Sequence, residues 1–194
     1  DSACNPQNGT DAATKAVNID GVVGLVGPHC SGAVIAAANS VAIPAGIALI
    51  TPSGTSPEIT NLKDNDLVFR TVPSDDYQGR ALARSLKEQG MESVAVAYLN
   101  NDYGSGLANA FKSEFEAIGG KITAFAAHEG EKASYRSNLA ELSKGGSDTL
   151  VIFDYGDGSG LTILREALEN GFFTNYVGAD GMKSLGAAVG EAED

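Results

Sequence analysis

Basic residues are scarce in this chain of 194: 13 Lys and Arg stand against 25 Asp and Glu, a formal charge of −12. Nucleic-acid binding needs clustered cations to neutralise phosphates, so that class is excluded. Attachment to a membrane through a polybasic patch is excluded on the same ground. A negative field of this size favours solubility and leaves the fold open. Long apolar runs are also missing. A membrane span needs about 20 apolar residues, and the best stretch, residues 41–50, is broken by Pro44 and Gly46. No direct membrane insertion is expected. The opening Asp1-Ser2-Ala3-Cys4 has neither the charged start nor the apolar stretch of a signal peptide. The chain reads as starting in mid-structure, either at a mature N-terminus or as a piece of something longer.

Catalytic groups are equally sparse. His29 and His128 are the two histidines, and no His, Cys, Asp or Glu spacing matches a metal site. A Gly-x-Ser-x-Gly elbow and a P-loop are both absent. Gly156-Asp157-Gly158-Ser159-Gly160 has the spacing Gly-x-Gly-x-Gly, without the acid that a dinucleotide loop requires. Cys30 beside His29 invites a nucleophile–base reading, but sequence neighbours rarely face each other productively. No cofactor, no metal and no catalysis are expected. Cys4 and Cys30 are the two cysteines. They read either as buried free thiols or, since both sit in loop-like contexts, as a bridge that would stabilise by about 3 kcal/mol. A bridge would place the protein outside the cytoplasm.

What is present is a regular alternation. With 43% hydrophobic and 20% charged residues the chain can bury a core. Short apolar runs predict strands over 22–26, 47–50, 67–72, 94–99, 122–127, 150–153 and 176–178. Their continuity is that of parallel strands covered on both faces. Apolar residues at helical spacing predict helices over 10–19, 33–41, 77–89, 104–118, 135–143 and 160–170. Strand and helix in turn imply βαβ units and an α/β fold of parallel sheets flanked by helices. The polar stretch 51–66 is too long for an ordinary connection. Residues 72–76, with Ser74-Asp75-Asp76 as a helix cap, read as the crossing between two lobes.

Ligands of parallel α/β sheets gather beyond the carboxyl ends of the strands. The loops Gly27-Pro28-His29-Cys30-Ser31-Gly32 and Thr51-Pro52-Ser53-Gly54-Thr55-Ser56-Pro57 offer hydroxyls and backbone N–H groups, a receptor for a carboxylate. The later loops, Asn101-Asp102-Tyr103-Gly104, Asp154-Tyr155-Gly156 and Ala179-Asp180-Gly181, offer tyrosines and acids for an ammonium and an apolar tail. Together they suit a zwitterion. Plainer readings compete: Ser31 as a helix N-cap, Ser53, Thr55 and Ser56 as turn formers, Tyr103 packing a loop and Asp180 stabilising a turn.

Six stretches carry a family resemblance: Asp1-Ser2-Ala3-Cys4-Asn5-Pro6, Gly27-Pro28-His29-Cys30-Ser31, Ile50-Thr51-Pro52-Ser53-Gly54-Thr55-Ser56-Pro57-Glu58, Phe69-Arg70-Thr71, Asn101-Asp102-Tyr103-Gly104 and Gly178-Ala179-Asp180-Gly181. In this order the chain resembles the leucine/isoleucine/valine-type periplasmic binding proteins of ABC importers. The resemblance implies two α/β lobes around a cleft that closes by hinge motion, residues 1–72 being part of lobe one and 73–190 lobe two. It implies a Cys4–Cys30 disulfide, a periplasmic or extracellular location and a membrane permease as partner. Ser31 and Thr55 would bind a ligand carboxylate, with backbone contacts from Ser53 and Gly54, and the Ser53 carbonyl would accept from the ammonium. Tyr103 would supply a wall and Tyr155 a looser contact. Asp180 would face the ammonium where many relatives carry Glu. Family members also possess an opening strand and helix, and a late return to lobe one, that this chain lacks, so it looks truncated at both ends.

The expectation is therefore a non-enzymatic, extracytoplasmic receptor for an aliphatic amino acid. The alternatives are the same fold holding another small carboxylate or amide, a ligand-sensing domain, and a cytosolic enzyme with two free thiols.

Overall fold

The computed structural model describes residues 2–184. Within them seven strands and eight α-helices alternate: α1 (Pro6–Asn18), β1 (Gly24–Val26), α2 (Ser31–Ala37), α3 (Ile43–Ala45), β2 (Ala48–Thr51), α4 (Pro57–Thr60), β3 (Val68–Arg70), α5 (Asp75–Glu88), β4 (Ser93–Leu99), α6 (Asp102–Ala117), β5 (Lys121–His128), α7 (Arg136–Ser143), β6 (Thr149–Phe153), α8 (Ser159–Asn170) and β7 (Asn175–Gly178). A π-helical stretch, Ala38–Ala42, joins α2 to α3, and a 3₁₀ turn, Asp180–Ser184, follows β7. Residues 185–190 of the expected second lobe lie outside the described residues, as does Asp1 of the first matched stretch.

The strands form two sheets, β1-β2-β3 and β5-β4-β6-β7, parallel throughout. Packing divides the chain into two units. The first takes the chain up to Tyr77 together with Asn101–Gly106, and the second takes Gln78–Asn100 and the chain from Leu107 onward.

In the first unit, Asn5 caps α1 by accepting from the Asn8 N–H at 3.0 Å, and Pro6 opens the helix where its missing N–H costs nothing. Gly9 lets α1 press on α2: a Cβ there would lie 3.0 Å from the Ala33 carbonyl oxygen. Leu25, Leu49 and Val68 stand in register across the sheet and face a core of Ala13, Val34, Ala37, Val41 and Ile59. Expected to end at residue 41, the helical run instead continues to Ala45, past Pro44. Proline frees the carbonyl four residues earlier, and the wide π turn before it accommodates that loss.

The expectation of strands covered on both faces fails here. The opposite row, Val26, Ile50 and Phe69, is 86%, 38% and 49% exposed.

In the second unit the central strand β6 meets that expectation. Every residue of β6 is buried. Leu150 and Ile152 pack with Leu139, Leu142 and Ile163 on one face. Phe153 meets Phe111 at 5.5 Å, edge to face, and Phe111 stacks on Phe115 at 5.2 Å.

Candidate functional site

In the first unit, hydroxyls stitch together the loops after β1 and β2. Thr51 Oγ1 donates to the Pro28 carbonyl at 2.7 Å and accepts from the Gly54 N–H at 2.9 Å. Ser53 Oγ donates to the His29 carbonyl at 3.0 Å. Ser31 Oγ accepts from two backbone N–H groups, those of Thr55 at 3.2 Å and Ser56 at 3.1 Å. Two amides thus converge on one oxygen, as they would on a carboxylate oxygen, and the Ser31 proton is left to donate. Gly54 supplies the close turn: a Cβ there would lie 2.9 Å from Ile59 Cδ1 and 3.0 Å from Thr51 Oγ1. Ser31 and Thr55 are buried, whereas Ser53 is exposed.

Two of the plainer readings are corrected by this geometry. Cys30 occupies the N-cap position of α2, so Ser31 is not the cap and its side chain faces the neighbouring loop instead. Ser56 does cap, accepting from the Glu58 N–H of α4. The Cys4–Cys30 disulfide, with Cα atoms 5.1 Å apart, removes the free-thiol and nucleophile readings.

Arg70, at the end of β3, braces this loop from behind. Its Nη1 donates to the Thr55 and Ser56 carbonyls at 3.1 and 3.0 Å, and its Nη2 bonds the Thr60 hydroxyl. A hydrogen bond to a charged group contributes about 1.5–3 kcal/mol. Arg70→Ala is therefore expected to cost about 2 kcal/mol and lower the melting midpoint by about 4–8 °C. Arg70→Lys should recover only part of this, because an ammonium lacks the planar fork. Thermal melts of the three proteins decide it: full recovery by lysine would show that the fork is not what matters.

Tyr103 lies in the first turn of α6, inside Asn101–Gly106, which packs with the first unit. Its side chain is buried, 3% exposed. Asn101 Oδ1 caps this turn through the Gly104 N–H at 2.8 Å. A Cβ on Gly106 would meet Pro57 Cδ at 2.9 Å, so α6 begins tightly against α4.

In the second unit, Tyr155 and Asp180 follow the adjacent strands β6 and β7. Their loops are tied by the Gly156 N–H, which donates to the Gly181 carbonyl at 2.9 Å. Gly160 and Gly178 allow Met182 to nest below: Cβ atoms there would come within 2.5 Å of its sulfur and 2.7 Å of its Cβ. Tyr155 is half-buried and Asp180 exposed. On β7, burial pushes the Tyr176 phenol above its ordinary pKa, and its hydroxyl donates to the Phe173 carbonyl at 2.7 Å.

Sequence reasoning missed Thr51 and Arg70 as loop braces. It also missed the pairing of His128 with Asp154 at 2.7 Å. Thr51 and Asp154 each directly follow or end a strand, a position that signals loop control. Among the described residues no three His, Cys, Asp or Glu side chains gather as metal ligands.

All-parallel sheets sheathed by helices, with polar loops at the carboxyl ends of the strands, define the type I periplasmic binding protein fold. The chain belongs to the receptor family ligand binding region, whose profile matches residues 1–188. It is 30% identical to the leucine-, isoleucine-, valine-, threonine- and alanine-binding protein of Pseudomonas aeruginosa, over all of this chain and 52% of that one. A leucine binding protein from Thermotoga maritima superposes with a TM-score of 0.89 at 26% identity, covering 99% of this chain and 55% of the other. An ABC transporter substrate-binding protein from Desulfitobacterium hafniense, solved in complex with Leu, gives 0.76 at 28% identity, covering 95% and 55%. The chain spans about half the length of the curated relatives it matches.

Proposed function

We propose that this chain is the ligand-recognising part of an extracytoplasmic receptor that binds an aliphatic amino acid, performs no chemistry on it, and hands it to the membrane permease of an ABC importer. The observation that carries this reading is the buried Ser31 hydroxyl, whose oxygen accepts from the Thr55 and Ser56 amides so that its proton is left to donate to a ligand carboxylate. Ser53 and Gly54 add backbone contacts to the carboxylate end, and the Ser53 carbonyl accepts from the ammonium. In the second unit the exposed Asp180 supplies the counter-charge for the ammonium, and Tyr155, with Tyr103 of the first unit, bounds the apolar tail. Aspartate is one methylene shorter than glutamate, which alters the space left for the ligand. The relatives named for leucine, isoleucine and valine support the ligand class. The disulfide supports a periplasmic or extracellular location, since such bonds persist in oxidising compartments. No helix among the described residues is long and apolar enough to cross a membrane.

A thermal-shift screen against leucine, isoleucine, valine, alanine, glutamate and plain carboxylates tests the reading. Ligand at 100 times its Kd stabilises by about 2.7 kcal/mol, which corresponds to roughly 5–11 °C for a chain of this size. A selective shift with aliphatic amino acids is expected. An equal shift with isovalerate, which has the carboxylate but no ammonium, would remove Asp180 from its assigned role and point to a simple carboxylate ligand.

A further inference from the structure

Away from the ligand loops' exposed surface, the second unit buries a polar cluster that recognition as proposed leaves unused. His128 ends β5, Asp154 follows β6 and Ser159 opens α8. All three are buried, Asp154 completely. Asp154 Oδ2 accepts from Ser159 Oγ at 2.6 Å and lies 2.7 Å from His128 Nε2, while Oδ1 accepts from the Tyr155 N–H at 2.6 Å. Asp154 thus has a partner at each oxygen: the Ser159 hydroxyl and the His128 ring at Oδ2, and the Tyr155 amide at Oδ1. His128 is held in turn by the edge of Tyr135 at 5.4 Å, whose hydroxyl donates to the Glu129 carbonyl at 2.9 Å.

A buried polar cluster is poor evidence for stability, because apolar residues of similar volume often serve as well. What this one does hold is a backbone. Tyr155 has its N–H on Asp154 and its carbonyl accepts from the Gly158 and Gly160 N–H groups at 3.1 and 3.2 Å. One residue on, the Gly156 N–H reaches Gly181, next to Asp180. Two strand ends, those of β5 and β6, and the start of α8 therefore meet at one carboxylate, directly behind Tyr155.

We infer that Asp154, with His128 and Ser159, is a positioning group for ligand binding: it fixes the backbone of Tyr155 and so the place of the ring assigned to the ligand's apolar tail. This rests on the function proposed above. A binding group must be held to within about half an ångström by its supporting contacts, and those contacts tune affinity without touching ligand.

The test measures leucine affinity by calorimetry in the full-length polypeptide, as a double-mutant cycle. Ser159→Ala is expected to weaken binding about tenfold, and Ser159→Thr, which keeps the hydroxyl, to restore it to within about threefold. In a Tyr155→Ala background Ser159→Ala should cost less than about twofold, because the loop it positions no longer carries the ring. A merely structural role would give the same loss in both backgrounds, and that result overturns the inference. Unchanged affinity in Ser159→Ala overturns it too, as does unchanged affinity in Tyr155→Ala, while leaving the proposed function standing. Wild-type protein that binds none of the aliphatic amino acids overturns the proposed function and this inference with it. Should Ser159→Ala lose its circular dichroism spectrum, His128→Phe, which removes the other side chain bonded to Asp154 Oδ2, takes its place in the cycle under the same criteria.

Discussion

Asp180→Ala is expected to abolish amino-acid binding while leaving the fold intact. The two halves of that result have separate causes. Asp180 is exposed and opens a 3₁₀ turn at the edge of the second sheet, so its removal should cost no more than about 1 kcal/mol, the scale of a lost helix cap. A bound amino acid, by contrast, has given up the water around its ammonium. Truncating one partner of a desolvated, hydrogen-bonded charge pair costs about 2–5 kcal/mol, since the other charge is left buried and unpaired. At 1.4 kcal/mol per decade this is a loss of roughly 30-fold to several thousand-fold. Asp180→Asn keeps the shape and a weaker acceptor but not the charge, and should lose most of the same affinity. Asp180→Glu keeps the charge one methylene further out and should bind within about tenfold of wild type, with its preference moved toward a smaller side chain. Calorimetric titration with leucine, valine and alanine, beside a melting curve for each variant, reads all of these. An Asp180→Ala protein with wild-type affinity would sink the assignment.

That prediction could be drawn from residue order alone, since Asp180 follows a strand that the short run 176–178 announces. All seven strands were legible for the same reason: short apolar runs bounded by glycine and polar turns have few other fates. What escaped was whatever depends on register or on a partner distant in sequence. His128 and Asp154 are 26 residues apart, and nothing in either neighbourhood shows that parallel pairing of β4 with both β5 and β6 brings their ends together. Arg70 reads as the last residue of a strand; its grip on the Thr55 and Ser56 carbonyls exists only once β3 lies beside β2. Ser31 shows how fine the distinction can be. A serine at the start of a helix is a natural cap, yet the helix begins one residue earlier than that reading needs, and the hydroxyl turns to the adjacent loop. The helix through Pro44 was missed because a proline normally ends a helix, and the π turn that accommodates it has no sequence signature. The exposed row of Val26, Ile50 and Phe69 could not be anticipated either, because an apolar strand looks the same whether one face is covered or two.

Removing the Cys4–Cys30 bridge should have the largest effect on stability. The two residues are 26 apart, and a closed loop of that length restrains the unfolded chain by about 3 kcal/mol. Each kcal/mol moves the midpoint of a chain this size by roughly 2–4 °C, so Cys4→Ser with Cys30→Ser is expected to melt about 6–12 °C lower. Reductant should lower the wild type by the same amount and leave the double variant unchanged, a control that separates the bond from the substituted side chains. The consequence reaches the ligand loops. Ala3 and Cys4 both hold positive φ, 45° and 56°, a conformation that costs a non-glycine residue about 1–2 kcal/mol. The bridge ties this turn to the start of α2. Cys30 is the N-cap of α2 and Ser31 its first residue, so the bond that anchors the N-terminal turn also anchors the oxygen on which the Thr55 and Ser56 amides converge. Reduced protein should therefore bind leucine more weakly at temperatures well below its melting point, whereas a purely global effect on stability would leave the affinity of the folded fraction untouched. Calorimetry at 15 °C with and without reductant distinguishes the two: equal affinities would confine the disulfide to stability, and a loss confined to the reduced protein would make it part of the carboxylate receptor.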